Sequence, residues 1–321
     1  MLQRRPVAPA DPRLLVTIGA LLLLGAAAQP SAVTSSGVPF GASKLPNELF
    51  GKPFTETKLE VDPESILKVL SEARAGGMHV FIILVGPQRH YQNADGTFNL
   101  EKWKARVDKF RGIDLSGFVQ DGTVMGHQLI SEAKARNQFG GAVITNDVLD
   151  QMARHSKELW PTLATMLRTD PSDLEEHAAG YKTPEPAWKW TYLDAASARY
   201  LDRKGGVDKF AAEQQASAER QELALIVGLN VFSGGDGSSK IASPAKGKWA
   251  MSADELRRYG AAMLSQTKPC AFEMWRYESA NSEFKNFNYF RRPEIQSAMD
   301  ELAALAARTP GRPCVGRQAH K

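Results

Sequence analysis

A (β/α)8 TIM-type barrel, an α/β fold of parallel strands with outer helices, is the architecture this sequence predicts. Three observations point to it. Strand-like and helix-like segments alternate from about residue 36 to residue 308, the pattern of parallel strands joined by crossover helices. The clearest strand segments, MHVFIILVG and LALIVGLNVF, are unbroken apolar runs rich in β-branched residues, as expected of strands covered on both faces. No G-x-G-x-x-G follows the first strand and no G-x-x-x-x-G-K-[ST] occurs anywhere, which removes the main support for a nucleotide-binding open sheet. Seven or eight βα units in a region of this length fit a closed barrel better than an open sheet.

The elements follow in order. Residues 33–62 are rich in Gly, Pro and Ser, and GVPFGASKLP and GKPFTETKLEV supply only short extended candidates, so the barrel is expected to be irregular at its first strands. DPESILKVLSEARAGG opens with Asp62 as a cap and Pro63 at the first helical position and stops at Gly76, which predicts a helix. The strand at 78–86 follows at once. LEKWKARVDKF predicts a helix over 100–110 with Trp103, Val107 and Phe110 on one face. Then come a strand at 123–129, a helix over 145–160 capped by Thr145 or Asn146, and a short strand at 163–168. WTYLDAASARYL, 190–201, is ambiguous, and its aromatic and β-branched first half reads as the strand. A helix over 207–221 and the strand at 223–232 follow. Ser252 with Glu255 three residues on forms a capping box for a helix over 252–266. A strand at 270–277 and a helix over 292–308 complete the pattern.

The first 32 residues differ in kind. Arg4, Arg5 and Arg13 precede the apolar run LLVTIGALLLLGAAA, which ends in small residues. That is the layout of a secretory signal peptide, cleaved or kept as a short N-terminal anchor. The run is shorter than the roughly 20 residues of a spanning helix. Three organisational parts are therefore expected: a leader over 1–32, one barrel domain over 33–310 and a tail over 311–321. The expected location is extracytoplasmic, secreted or periplasmic, with no stable membrane insertion after cleavage. The leader carries three arginines and one aspartate, so it supplies two of the four net positive charges. The remaining chain is near neutral and has no basic run with interleaved aromatics, which argues against a nucleic-acid partner.

The two cysteines, Cys270 and Cys314, suit a disulfide in an exported protein. Cys270 begins a strand, at the N-terminal floor of the barrel. The last helix returns the chain to that floor near Arg308, six residues before Cys314.

Chemistry in such barrels sits at the C-terminal strand ends. The residues expected there are Gln88, Arg89, His90 and Tyr91 after the first clear strand, and Glu132 after the second. Arg168 and Asp170, then Asp194, follow the next two. Asn230 comes at the end of LALIVGLNV, and Arg276, Tyr277 and Glu278 after CAFEMW. His90 and His127 lack partners at metal-binding spacing and read as lone hydrogen-bonding or core histidines. Neither a metal nor another cofactor is implied. No G-x-S-x-G elbow occurs. Two carboxylates on opposite strand tips are what glycoside hydrolysis uses, and Trp190, Trp275 and Tyr277 are candidate sugar-stacking rings. Arg89, His90, Arg168 and Asn230 are candidate sugar-binding groups. The polar loop SGGDGSSKIASPAKGKW, 233–249, is long enough to be a lid or binding loop.

GHQLISEA after a strand, then MARHSKELWPTLATMLR, then LIVGLNVFSGG and GKWAMSADELRRYGAAMLSQTKPCAFEMWRYES, resemble a family of exported bacterial proteins of the glycoside hydrolase-like TIM-barrel superfamily. The resemblance spans about Val38 to Leu305. In that family the strand corresponding to 123–130 ends in Asp-Glu-Pro, whose Glu takes the general-acid position of retaining glycosidases. Here the step reads Ser131-Glu132-Ala133, so the Glu is kept and its two neighbours differ. The resemblance implies a carbohydrate ligand and an acid/base role for Glu132. For the partner carboxylate it favours Glu278, which follows Tyr277, over Glu273, which lies early in its strand and so deep in the barrel or among the helices. Three functions stay open: a glycoside hydrolase, a non-catalytic glycan- or surface-binding barrel that has lost activity, or a non-glycosidic lyase or hydrolase using the same rim.

Overall fold

The computed structural model describes residues 37–175, 188–277 and 287–316; the leader and Glu278 lie outside them. Among the described residues eight parallel strands close into one barrel in chain order. They are β1 (Phe40–Ala42), β2 (Glu56–Glu60), β3 (His79–Ile83), β4 (Val124–Ser131), β5 (Thr165–Arg168), β6 (Ala195–Tyr200), β7 (Ala224–Asn230) and β8 (Ala271–Trp275). The first strand is the shortest, as its Gly- and Pro-rich sequence predicts. It still closes the ring, pairing Phe40 with Phe272 and Ala42 with Met274.

The outer helices are α1 (Ile66–Ala75), α2 (Leu100–Val107), α3 (Ser116–Gln120), α4 (Asn146–Leu159), α5 (Pro171–Leu174), α6 (Val207–Arg220), α7 (Ala253–Ser265) and α8 (Pro293–Arg308). The capping box at Ser252 and Glu255 forms, and Trp103, Val107 and Phe110 are all buried. At α1 the Asp62 signal acts one turn early. Ser65 and Ile66 donate to the Asp62 carbonyl, and the helix itself begins at Ile66. The short α3 and α5 have too few residues to show a period in sequence.

The structure corrects the reading of residues 190–201: the strand is the second half. The Asp150 carboxylate accepts the backbone N–H groups of Thr191, Tyr192 and Leu193 at 3.1, 2.9 and 3.2 Å. Those donors are thereby satisfied outside the sheet. As a result Asp194 stands before β6, at the floor, 2.7 Å from Lys157, and not at a strand tip.

Strand alternation divides the core. Val80, Ile82, Leu167, Val227 and Phe272 belong to the cluster between strands and helices. Phe81, Met166, Ala195, Ile226 and Ala271 form a second, smaller cluster within the barrel. Above this apolar plug the inward positions turn polar, with Glu56 and Lys58 from β2 and Glu273 from β8. Gly41 and Gly228 let the neighbouring strands approach closely, since a Cβ at either would stand 1.7 or 1.8 Å from the backbone carbonyl oxygen of Glu56 or Glu273.

At the floor Cys270 and Cys314 are joined in a disulfide, and Gly37 bridges to Pro310. The bond spans 44 residues, enough to restrict the unfolded chain strongly. Replacing both cysteines with serine is expected to lower stability by about 2–4 kcal/mol. Chemical denaturation with and without reductant checks this, and superimposable curves would count against it.

Candidate functional site

Glu132 follows β4 directly and has φ 57°, a left-handed backbone that only a few per cent of non-glycine residues adopt. Its N–H donates to the Arg168 carbonyl at 2.9 Å, and its own carbonyl accepts from Ala135 at 2.9 Å. Two bonds thus hold the backbone turn that aims the side chain. Arg168 ends β5 in register with Ser131. Arg199 points inward from β6, in register with Gly228 of β7. Both guanidiniums reach the same carboxylate oxygen: Glu132 Oε1 lies 3.0 Å from Arg199 Nη2 and 3.2 Å from Arg168 Nη2. The Glu132 side chain is still 39% exposed, so it remains open to a ligand.

These groups line a cavity of about 480 Å³ at the barrel mouth. Asn230, the last residue of β7, is also on its wall, with Oδ1 accepting from the Ser233 N–H at 3.2 Å. Asp170 accepts from the Arg199 N–H at 3.1 Å and is ion-paired with Lys204. Burial, reinforced by the neighbouring Arg168 charge, pushes the Arg199 guanidinium down to about 9, against the pull of Glu132, Glu273 and Asp170. Its Nε and Nη1 are buried without a hydrogen-bond partner among the described residues. Its Cζ stands 5.4 Å from the Trp275 ring centre, a cation–π contact.

Below the mouth, Lys58 Nζ contacts both oxygens of Glu273 at 2.6 Å. Glu273 is 3% exposed, and its contact with Lys58 puts it in the barrel, the first of the two places its early strand position left open. Glu56 beside it has both carboxylate oxygens unpartnered. Burial, then the Glu273 charge, holds its carboxyl well above the ordinary carboxylate range, with Lys58 opposing. A raised folded-state value means that stability is lost as pH rises from the unfolded value through the folded one. Glu56→Gln is therefore expected to stabilise the protein. Its advantage should grow with pH from about 5 upward by at most roughly 1.4 kcal/mol per pH unit. Thermal melts of both proteins at pH 5 and pH 8 test it, and a constant gap between them would contradict it.

The remaining predicted residues are dispersed. Arg89 and His90 lie on a turn after β3, outside the lining of the mouth cavity. Trp275 ends β8 and packs beside Arg199 and Phe232. Tyr277 stacks on Phe290 at 4.9 Å and borders a separate cavity of about 240 Å³ with Phe54 and Leu49. His127 points out of the barrel, 2.9 Å from Ser156 Oγ and stacked on Trp103. Burial pushes it down to about 3, so it is a neutral core residue. Trp190 is 2% exposed and donates to Gln221 at 3.0 Å, which makes it core as well. No group of metal-ligating side chains occurs among the described residues.

Arg199, Lys58 and Glu56 are the site residues that sequence reasoning missed. Misplacing β6 put Arg199 beyond its strand. In ETKLE the charges at 56, 58 and 60 alternate with Thr57 and Leu59, and in a strand covered on both faces that alternation is the mark of a polar lumen.

The closed eight-stranded parallel barrel is a fold this chain shares with solved glycoside hydrolase structures. Among solved structures, a native β-glucanase from Saccharophagus degradans superposes with a TM-score of 0.53 at 10% identity, covering 85% of this chain and 89% of that one. The same enzyme has been solved with cellotetraose. A β-mannanase from Alicyclobacillus acidocaldarius superposes with a TM-score of 0.51 at 13% identity, covering 86% of this chain and all of that one. No protein-family model and no curated protein matches the sequence.

Proposed function

We propose that this chain is an exported glycoside hydrolase-like protein that binds a glycan in the mouth cavity, with Glu132 as its acid/base carboxylate. The observation that carries the reading is the placement of Glu132, at the C-terminal end of a barrel strand and exposed on the wall of a 480 Å³ cavity. A carboxylate so placed meets the geometric demand on an acid/base group, which must reach the bond it protonates. Asn230 offers a hydrogen-bonding group beside it, and the β-glucanase and β-mannanase barrels support the carbohydrate class by their fold. Export is supported by the basic and apolar leader and by the disulfide, which persists in oxidising compartments.

One observation favours the second reading, a binding barrel without turnover. Both guanidiniums engage Glu132, and Asp170, another carboxylate of the cavity wall, is ion-paired with Lys204. Retaining and inverting chemistries require two carboxyl groups about 5–5.5 Å or about 6.5–9.5 Å apart. Hydrolysis of a panel of chromogenic glycosides, run beside binding of the corresponding oligosaccharides, separates the readings. Turnover supports the enzyme, and binding without turnover supports the second reading. Neither binding nor turnover removes both.

A further inference from the structure

The charges of the described mouth residues do not cancel. Among the described residues the cavity wall carries five cationic side chains (Lys134, Arg168, Arg199, Arg203 and Lys204) against three carboxylates (Glu132, Asp170 and Asp173). Arg168 and Arg199 share one carboxylate and converge on one of its oxygens, so that trio keeps a net positive charge. Lys204 and Asp170 neutralise each other. Arg203 has no carboxylate partner among the described residues, and its contact is Nη1 donating to the Ser233 carbonyl at 3.4 Å. It is exposed, so its guanidinium is available to a ligand.

We propose that this site selects an anionic saccharide, one bearing a carboxylate or a sulfate ester, and that Arg203 reads that charge. The inference rests on the glycan-binding reading above and names the substrate class of the same site. A neutral sugar entering the cavity would displace water from a wall whose described cations outnumber its described carboxylates. An anionic group supplies the missing counter-charge and can accept paired hydrogen bonds from a guanidinium fork. Arg203 also borders an adjoining cavity of about 170 Å³ that reaches Trp249. That indole is 40% exposed and offers a stacking face, so the ligand extends over more than one sugar unit.

Calorimetric titration of the full chain with three oligosaccharides of equal length tests the proposal: an oligogalacturonate, a sulfated oligosaccharide and a neutral cello-oligosaccharide. One anionic arm is expected to bind at least about tenfold more tightly than the neutral arm at low salt, with the preference shrinking as salt rises. Which anionic arm is tighter assigns carboxylate or sulfate. In Arg203→Gln the anionic-to-neutral affinity ratio is expected to fall about tenfold, with an unchanged melting curve as the check on folding. Equal or tighter binding of the neutral arm overturns the anionic selectivity and leaves the glycan reading intact. A ratio unaltered in Arg203→Gln overturns the role of Arg203. Binding in none of the arms removes the glycan reading, and this inference with it.

Discussion

Glu132→Gln is expected to lower kcat on any glycoside the wild type cleaves by about 10²–10⁴-fold, the usual contribution of a positioned acid/base group. Gln keeps the size of the side chain and an oxygen for the two guanidiniums, but it cannot donate and recover a proton. The change is local, because the side chain is 39% exposed and its loss opens no core cavity. The melting temperature should therefore stay close to that of the wild type, and glycan binding should survive. Steady-state kinetics on the best glycoside, with a melting curve for each protein, give the comparison. Full activity in the variant would remove Glu132 as the acid/base. Lost activity with an unfolded variant would instead assign the residue a structural role.

The second large effect concerns stability and lies one layer deeper. Lys58→Met should destabilise the fold by about 3–5 kcal/mol, because it strips a buried carboxylate of its counter-ion. Lys58 is the cation in contact with both Glu273 oxygens, and Glu56 already stands unpartnered beside it. Burial lowers the Lys58 ammonium, and the Glu273 charge opposes that shift, so the pair depends on mutual contact. Adding Glu273→Gln to Lys58→Met should recover much of the loss, since removing both charges costs far less than orphaning one. Urea unfolding of the two single variants and the double variant measures the coupling. A strictly additive double variant would show that the contact contributes nothing.

How far the sequence could be read depended on which force shaped each segment. LALIVGLNVF is apolar on both faces because helices cover one side of β7 and the barrel plug the other, so its pattern announces a buried strand. β6 is built from AASARY, small residues with low strand propensity that pairing with β7 holds in place. Tertiary context overrode propensity there, and the aromatic stretch before it drew the assignment instead. Arg199 was lost with that strand. Glu132 and Arg168 were legible because they immediately follow or end recognisable strands. Their meeting at one carboxylate oxygen was not, since it depends on the register between β4, β5 and β6. The lumen cluster of Glu56, Lys58 and Glu273 joins residues 215 positions apart, a distance at which no local pattern operates.

The bridge between Gly37 and Pro310 and the disulfide to Cys314 bring both ends of the described chain to the floor, away from Glu132. Gly37, Cys314 and Val315 line one groove there, alongside residues at the entry edges of the strands. For sensor-chip or bead measurements, either end is therefore a usable point of attachment. A tether fixed at the floor leaves the mouth facing solution, with long oligosaccharides free to approach from the side opposite the surface.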